Sequence, residues 1–241
     1  MSFVKPSCTA EESTPMASLR EQHERFCAEV AEGLHALAQP LTILRSAIAL
    51  LAVAKENGGD CARYVELSAR QIDRTCKLFA SVQGLVASSM APAEPEPIDI
   101  ESLLARMVTN RSHTLDEVGI GLAAAAMKSP ATAFGDPQRT EQALSAAFET
   151  AVSVSSAGDV VKVDSSVSDG FLEFSFESTS KRDNNLKSSD RLNLSLAKAN
   201  ILSQQGRYEF TAEPFRISLA LPVHEPEEIE SETLFCTACT D

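Results

Sequence analysis

The chain has 241 residues, a formal net charge of −13, a hydrophobic content of 44%, no Trp and two Tyr. That length allows one large or two modest domains, each with its own core, and excludes a mini-protein. The acidic balance argues against a nucleic-acid partner, the apolar mass of Ala, Leu, Val and Ile favours packed helices over aromatic-rich β sandwiches, and six scattered Cys with no signal peptide ahead of them read as reduced thiols of a cytoplasmic protein.

Residues 1–17 mix Ser, Thr, Pro and Glu without periodicity and are expected to form a disordered leader. Val30, Leu34, Leu37, Leu41, Leu44, Ile48 and Leu51 then alternate steps of four and three, which predicts a long helix over about 18–56 with a bundle seam. The apolar run 43–54 inside it is interrupted by Arg45 and is too short to span a bilayer, so no membrane span is expected. Asn57-Gly58-Gly59-Asp60 ends the helix, because glycine tolerates the left-handed conformations that reverse a chain. A second helical seam follows through Val65, Ala69, Ile72, Cys76, Phe79 and Val86, with Gln83 as a polar interruption. Two helices joined by a short turn make a hairpin over 18–90, and its half-covered apolar face predicts a homodimer that closes a four-helix bundle.

Residues 91–97, Ala-Pro-Ala-Glu-Pro-Glu-Pro, cannot continue a helix and read as a semi-rigid linker. Beyond it the pattern is mixed, and residues 98–223 are expected to form an α/β sandwich. Its expected elements are a helix over 101–117, a strand near 120–127 and a helix over 137–154 with Asp136 as cap and Pro137 in its first turn. A strand hairpin over 159–167 and 171–177 turns at Ser168-Asp169-Gly170, and a helix over 191–205 and strands over 208–212 and 215–222 complete the set. The fold class is α+β. Residues 224–241, with Glu225, Glu227, Glu228, Glu230 and Glu232, read as a solvated acidic tail, in which Cys236 and Cys239 form an isolated CxxC with neither metal nor redox context.

The candidate chemistry sits in the first helix. His35-Ala36-Leu37-Ala38-Gln39-Pro40-Leu41-Thr42 places an imidazole directly after a seam residue, at the rim of the bundle, and Pro40 removes the helical hydrogen bond to the Ala36 carbonyl. A neutral imidazole is a competent nucleophile towards phosphorus. A His followed five residues later by Pro-Leu-Thr, on the first helix of a hairpin, resembles the H-box of sensor histidine kinases. The resemblance continues through Phe134-Gly135-Asp136-Pro137-Gln138-Arg139 into the helix ending near Ala151, similar to the approach to that family's N-box, and through the helix over 193–205 that follows its glycine-rich boxes. It covers most of residues 18–223 and implies a phosphoacceptor hairpin followed by an ATPase-type domain.

Against the same family, the residues that hold Mg²⁺ and nucleotide are replaced. Ala146 and Thr150 stand at the N-box Asn positions, and a Thr hydroxyl lacks the reach of an amide. Glu177-Ser178-Thr179-Ser180-Lys181 stands for the Asp-x-Gly-x-Gly box, and Asn193-Leu194-Ser195 for the later Gly-x-Gly, where Cβ atoms fill space that phosphate contact requires. The segment between Glu177 and Arg191 is short for an ATP lid, and Ala36 replaces the acidic neighbour that serves active kinases as general base. No cofactor is therefore expected.

The resemblance then points to the histidine phosphotransferases derived from kinases, with His35 as carrier between response-regulator receiver domains. Gln39, one turn on, either orients water for dephosphorylation or is a solvated helix residue. Ile43, Ser46, Ala47 and Leu50 with Phe79 and Gln83 form either a receiver-docking surface or ordinary packing. Two rivals stay open: an ATP/Mg-dependent kinase with a divergent nucleotide site, and a non-catalytic dimeric adaptor.

Overall fold

A computed structural model describes residues 13–124, 132–180 and 186–223. Residues 1–12 of the expected leader, 125–127 of the expected strand, 181–185 of the segment expected as a short lid, and the acidic tail with Cys236 and Cys239 lie outside the described residues, while residues 13–17, expected in the leader, are helical because α1 begins at Ser13.

Helices α1 (Ser13–Glu56) and α2 (Ala62–Met90) pair into a hairpin. Its turn follows from the sequence: Gly58 adopts φ +66°, and the N–H groups of Asn57 and Gly59 donate to the carbonyls of Val53 and Ala54. Asp60 accepts from the Ala62 N–H at 3.0 Å at the entrance to α2. The helix runs unbroken through Pro40.

The expected single seam of α1 divides in two. Small residues, Gly33, Ala36, Pro40 and Ala47, are its buried positions, opposite Leu78, Val82 and Leu85 of α2, while Val30, Leu37, Leu44 and Leu51 are half-buried. The other seam residues, Leu34, Leu41 and Ile48, stay 47–57% exposed, and so do Val65, Ile72 and Phe79 of α2 at 49–54%. Each triplet repeats every seven residues and forms one stripe along its helix.

The apolar content of α1 bears on the expectation that no segment spans a membrane. Within His23–Glu56 lies an eighteen-residue window of mean hydropathy 1.7, long and apolar enough to cross a membrane by length and composition. The sequence reading stopped at Arg45, a charge such a window tolerates. Of that window 22% is buried, so packing among the described residues covers a minority of it.

The second domain begins earlier than its linker suggested. β1 (Glu96–Asp99) starts inside the proline-rich stretch and pairs antiparallel with β3 (Thr132–Gly135), Glu96 opposite Gly135 and Asp99 opposite Thr132. Four-residue strands carry too little alternation to be read in sequence. Helix α3 (Ile100–Val118) is capped by Asp99, which accepts from Ser102 N–H at 3.1 Å, and ends at Gly119 with φ +73°. After β2 (Gly121–Ala124), α4 (Pro137–Val154) starts on Asp136, whose Oδ1 accepts from the N–H groups of Gln138 and Arg139 at 3.0 and 3.1 Å. β4 (Val160–Ser168) and β5 (Phe171–Ser178) turn through Asp169 and Gly170, both at positive φ. Helix α5 (Ser188–Leu202) starts three residues earlier than expected because Asp190 accepts from the Lys187 N–H at 2.9 Å. β6 (Arg207–Thr211) and β7 (Arg216–Pro222) close the chain.

The five-stranded sheet has the order β2-β4-β5-β7-β6, parallel only between β2 and β4. Alternation along β5 sends Leu172, Phe174 and Phe176 into the core, where Phe148 of α4 meets Phe176 edge to face at 6.5 Å. Helices α3, α4 and α5 cover the sheet, and α5 also packs on α1 and α2. The architecture is a helical hairpin followed by an α/β sandwich.

Candidate functional site

His35 is exposed on α1, and neither ring nitrogen has a hydrogen-bond partner among the described residues. At about 100° per residue, His35, Gln39, Ser46 and Leu50 fall within roughly 60° of one another, and all four are exposed. Ile43 at the edge of this face is half-buried. Thr42 Oγ1 donates to the Ala38 carbonyl at 2.8 Å and Ser46 Oγ to the Thr42 carbonyl at 3.0 Å, so both hydroxyls are already engaged by the helix. Ala36 is buried, which leaves His35 without an acidic neighbour at that position.

Three residues expected beside this face are placed elsewhere. Ala47 is 1% exposed, inside the hairpin, and offers nothing to a docking partner. Its place in the i, i+3, i+4 series with Ile43 and Leu50 put it on that list, but it falls on the face turned to α2. Phe79 belongs to the exposed seven-residue stripe of α2, and Gln83 lines a cleft facing α4.

The nucleotide-box positions are spread over three different environments. Ala146 and Thr150 are buried in α4, and Thr150 Oγ1 donates to the Ala146 carbonyl at 2.8 Å. Glu177 faces the outer side of the sheet, where it pairs with Arg216 at 3.5 Å. The residue that turns inward is its neighbour Ser178, buried and 2.7 Å from Ser155 Oγ. Asn193 and Ser195 of α5 contact the hairpin: Ser81 Oγ lies 3.5 Å from Asn193 Oδ1, and the Ser195 hydroxyl bonds the Glu29 carboxylate. The cleft left between α2, α4 and the start of α5, lined by Lys77, Glu149, Ser153, Lys187 and Asn193, has about 250 Å³. Among the described residues, the one hydroxyl at an N-box position is engaged by backbone, and Asn193 and Ser195 carry side chains where the resemblance places glycines.

Sequence reasoning missed the junction beside His35. A Cβ on Gly33 would lie 2.7 Å from Val82 Cγ2 and 3.0 Å from Leu192 Cδ1, so this glycine lets α2 and α5 meet α1 two residues before the histidine. Gly84 does the same on α2, against Gln142 and Leu196. Arg191 pairs with Glu32 at 3.3 Å, and Lys198 faces Glu29. Burial pushes the Glu29 carboxyl above the usual range; Lys198 and Arg25 oppose that, Glu32 adds to it, and Ser195 lowers it again. Arg139, also buried, holds the start of the second domain: it donates to the Ala91 and Pro92 carbonyls at 2.8 and 3.1 Å and to Ser203 Oγ at 3.0 Å, and pairs with Asp136 at 3.4 Å. Isolated glycines in helical patterns were the available signal for the two helix contacts.

A helical hairpin followed by an α/β sandwich is also the fold of solved histidine kinase structures. The histidine kinase AdeS of Acinetobacter baumannii aligns with a TM-score of 0.60 at 17% identity, over 79% of this chain and 98% of that one. Histidine kinase ThkA, in complex with the response regulator protein TrrA, gives 0.63 at 15% identity over 89% and 68%. Full-length ShkA in complex with AMPPNP gives 0.54 at 20% identity over 80% and 46%. The likeness at these identities is one of fold. No protein-family profile and no curated protein matches the sequence.

Proposed function

We propose that this chain is a dimeric histidine phosphotransfer protein of a two-component relay, with His35 carrying the phosphoryl group between receiver-domain aspartates in the cytoplasm. The observation that carries this reading is the pairing of an exposed, unengaged imidazole with nucleotide positions occupied by Ala146, Thr150, Asn193 and Ser195. A response regulator as partner is in keeping with the ThkA complex. In the forward step an imidazole nitrogen attacks the phosphorus of an aspartyl phosphate; the N–P bond forms, the P–O bond to the aspartate breaks, and the carboxylate leaves. The reverse step, on a second receiver, regenerates imidazole and a new acyl phosphate. The exposed face with Gln39, Ser46 and Leu50 is the surface on which a receiver would dock, and the exposed stripes of α1 and α2 are the surface that a second copy would cover.

The test mixes purified protein with receiver domains carrying labelled aspartyl phosphate. Wild type should acquire acid-labile phosphate and pass it to a second receiver, and His35→Ala should acquire none. Labelling of wild type by ATP alone would favour the kinase reading, and intact signalling by His35→Ala the adaptor reading.

A further inference from the structure

A second cleft lies between the hairpin and the second domain, its α4 wall one helical turn before Ala146. It has about 430 Å³, within the range of small-molecule sites, and is lined by Gln83, Gly84 and Ala87 of α2, Arg139 and Gln142 of α4, and Asn200 of α5. Asn200 is fully buried. Its Nδ2 donates to Gln142 Oε1 at 3.2 Å, while its Oδ1 is buried with no partner among the described residues. A buried amide left half-satisfied is costly and needs an explanation. Gly84 is part of the same arrangement: a Cβ there would lie 2.9 Å from Gln142 Oε1, so its absence lets that amide rest against α2.

We propose that this cleft binds a small neutral molecule with an amide-type edge, a donor beside an acceptor, as in a carboxamide or a pyrimidine base. The edge matches what is unfilled: a turn of the Asn200 amide, whose Oδ1 is closed to solvent in this structure, lets the ligand N–H donate to that oxygen, and the ligand carbonyl accepts from the Gln142 amide nitrogen. Exchanging oxygen and nitrogen in both amides leaves the match intact, because an amide edge is self-complementary. Charge in the cleft is already balanced. The Arg139 guanidinium is taken up by Asp136, two carbonyls and Ser203, and Asp136 caps α4, so neither an anion nor a cation has a free counter-group there. An occupant would touch α2, α4 and α5 at once and fix the hairpin against the second domain.

The full chain would be titrated with uracil, nicotinamide and acetamide at millimolar concentrations, followed by thermal shift and by amide chemical shifts. Uracil or nicotinamide should raise the melting temperature and move resonances around Gly84 and Gln142. Asn200→Leu should weaken binding by about tenfold or more, the loss of one buried hydrogen bond. Ala87→Leu, which fills the cleft from an exposed helix position and leaves Asn200 in place, should abolish it, and His35→Ala should leave it unchanged. Failure of every probe to bind wild type, or binding to Asn200→Leu and Ala87→Leu as tight as to wild type, would overturn the proposal.

Discussion

A guanidinium that donates to two backbone carbonyls and a hydroxyl and also pairs with a carboxylate cannot be shortened without leaving acceptors behind. Arg139→Met should therefore lower stability by about 2–4 kcal/mol, through unpaired buried acceptors and a lone Asp136 charge, measurable as a shift of the urea midpoint. An unchanged midpoint would mean that water replaces the guanidinium. At this scale the sequence was read well where a side chain's own chemistry fixes its role: exposed His35, the cap at Asp136, the left-handed turn at Gly58. Strand parity is not fixed in that way. One residue of register separates Glu177, which pairs with Arg216 on the outside, from Ser178, which points inward, and nothing local to the tetrapeptide tells them apart.

Among the elements, the long helices were legible because their apolar periodicity runs over many turns, and α4 begins and ends where its cap and its pattern placed it. β1 and β3 were not, since two four-residue strands are held by each other and by the sheet beneath them. The seam of α1 was legible as a pattern but not as two surfaces, since a heptad row looks the same whether a partner in the same chain or in another copy covers it. That ambiguity yields a test. If a second copy packs on Leu34, Leu41, Ile48, Val65, Ile72 and Phe79, charges at two of these exposed positions disrupt the assembly without touching the hairpin interior. Ile48→Asp with Ile72→Asp should sediment as a folded monomer while wild type sediments as a dimer. A wild-type monomer would remove the four-helix bundle.

For the molecule as a whole, the junction of hairpin and sandwich carries a titrating group. Burial raises the Glu29 carboxyl above its ordinary 4.5, so the folded state holds that proton more tightly than the unfolded chain does. Its contribution is fully present below pH 4.5 and declines as pH rises through the raised value, which makes the charged carboxylate a cost near neutrality. Glu29→Gln should then melt at a higher temperature than wild type at about pH 7, with the difference shrinking towards pH 4.5. A difference that grows in acid would reverse the assignment. The junction was hidden from sequence reading because its two halves, Glu29, Glu32 and Gly33 on α1 and Arg191 and Leu192 on α5, lie far apart along the chain. The side chains standing where glycines would cradle phosphates carry one more implication. On the proposed relay reading, the direction of phosphoryl flow through His35 would follow the ratio of charged to uncharged receivers, and a change in the adenylate pool would reach the chain through the kinases that feed it.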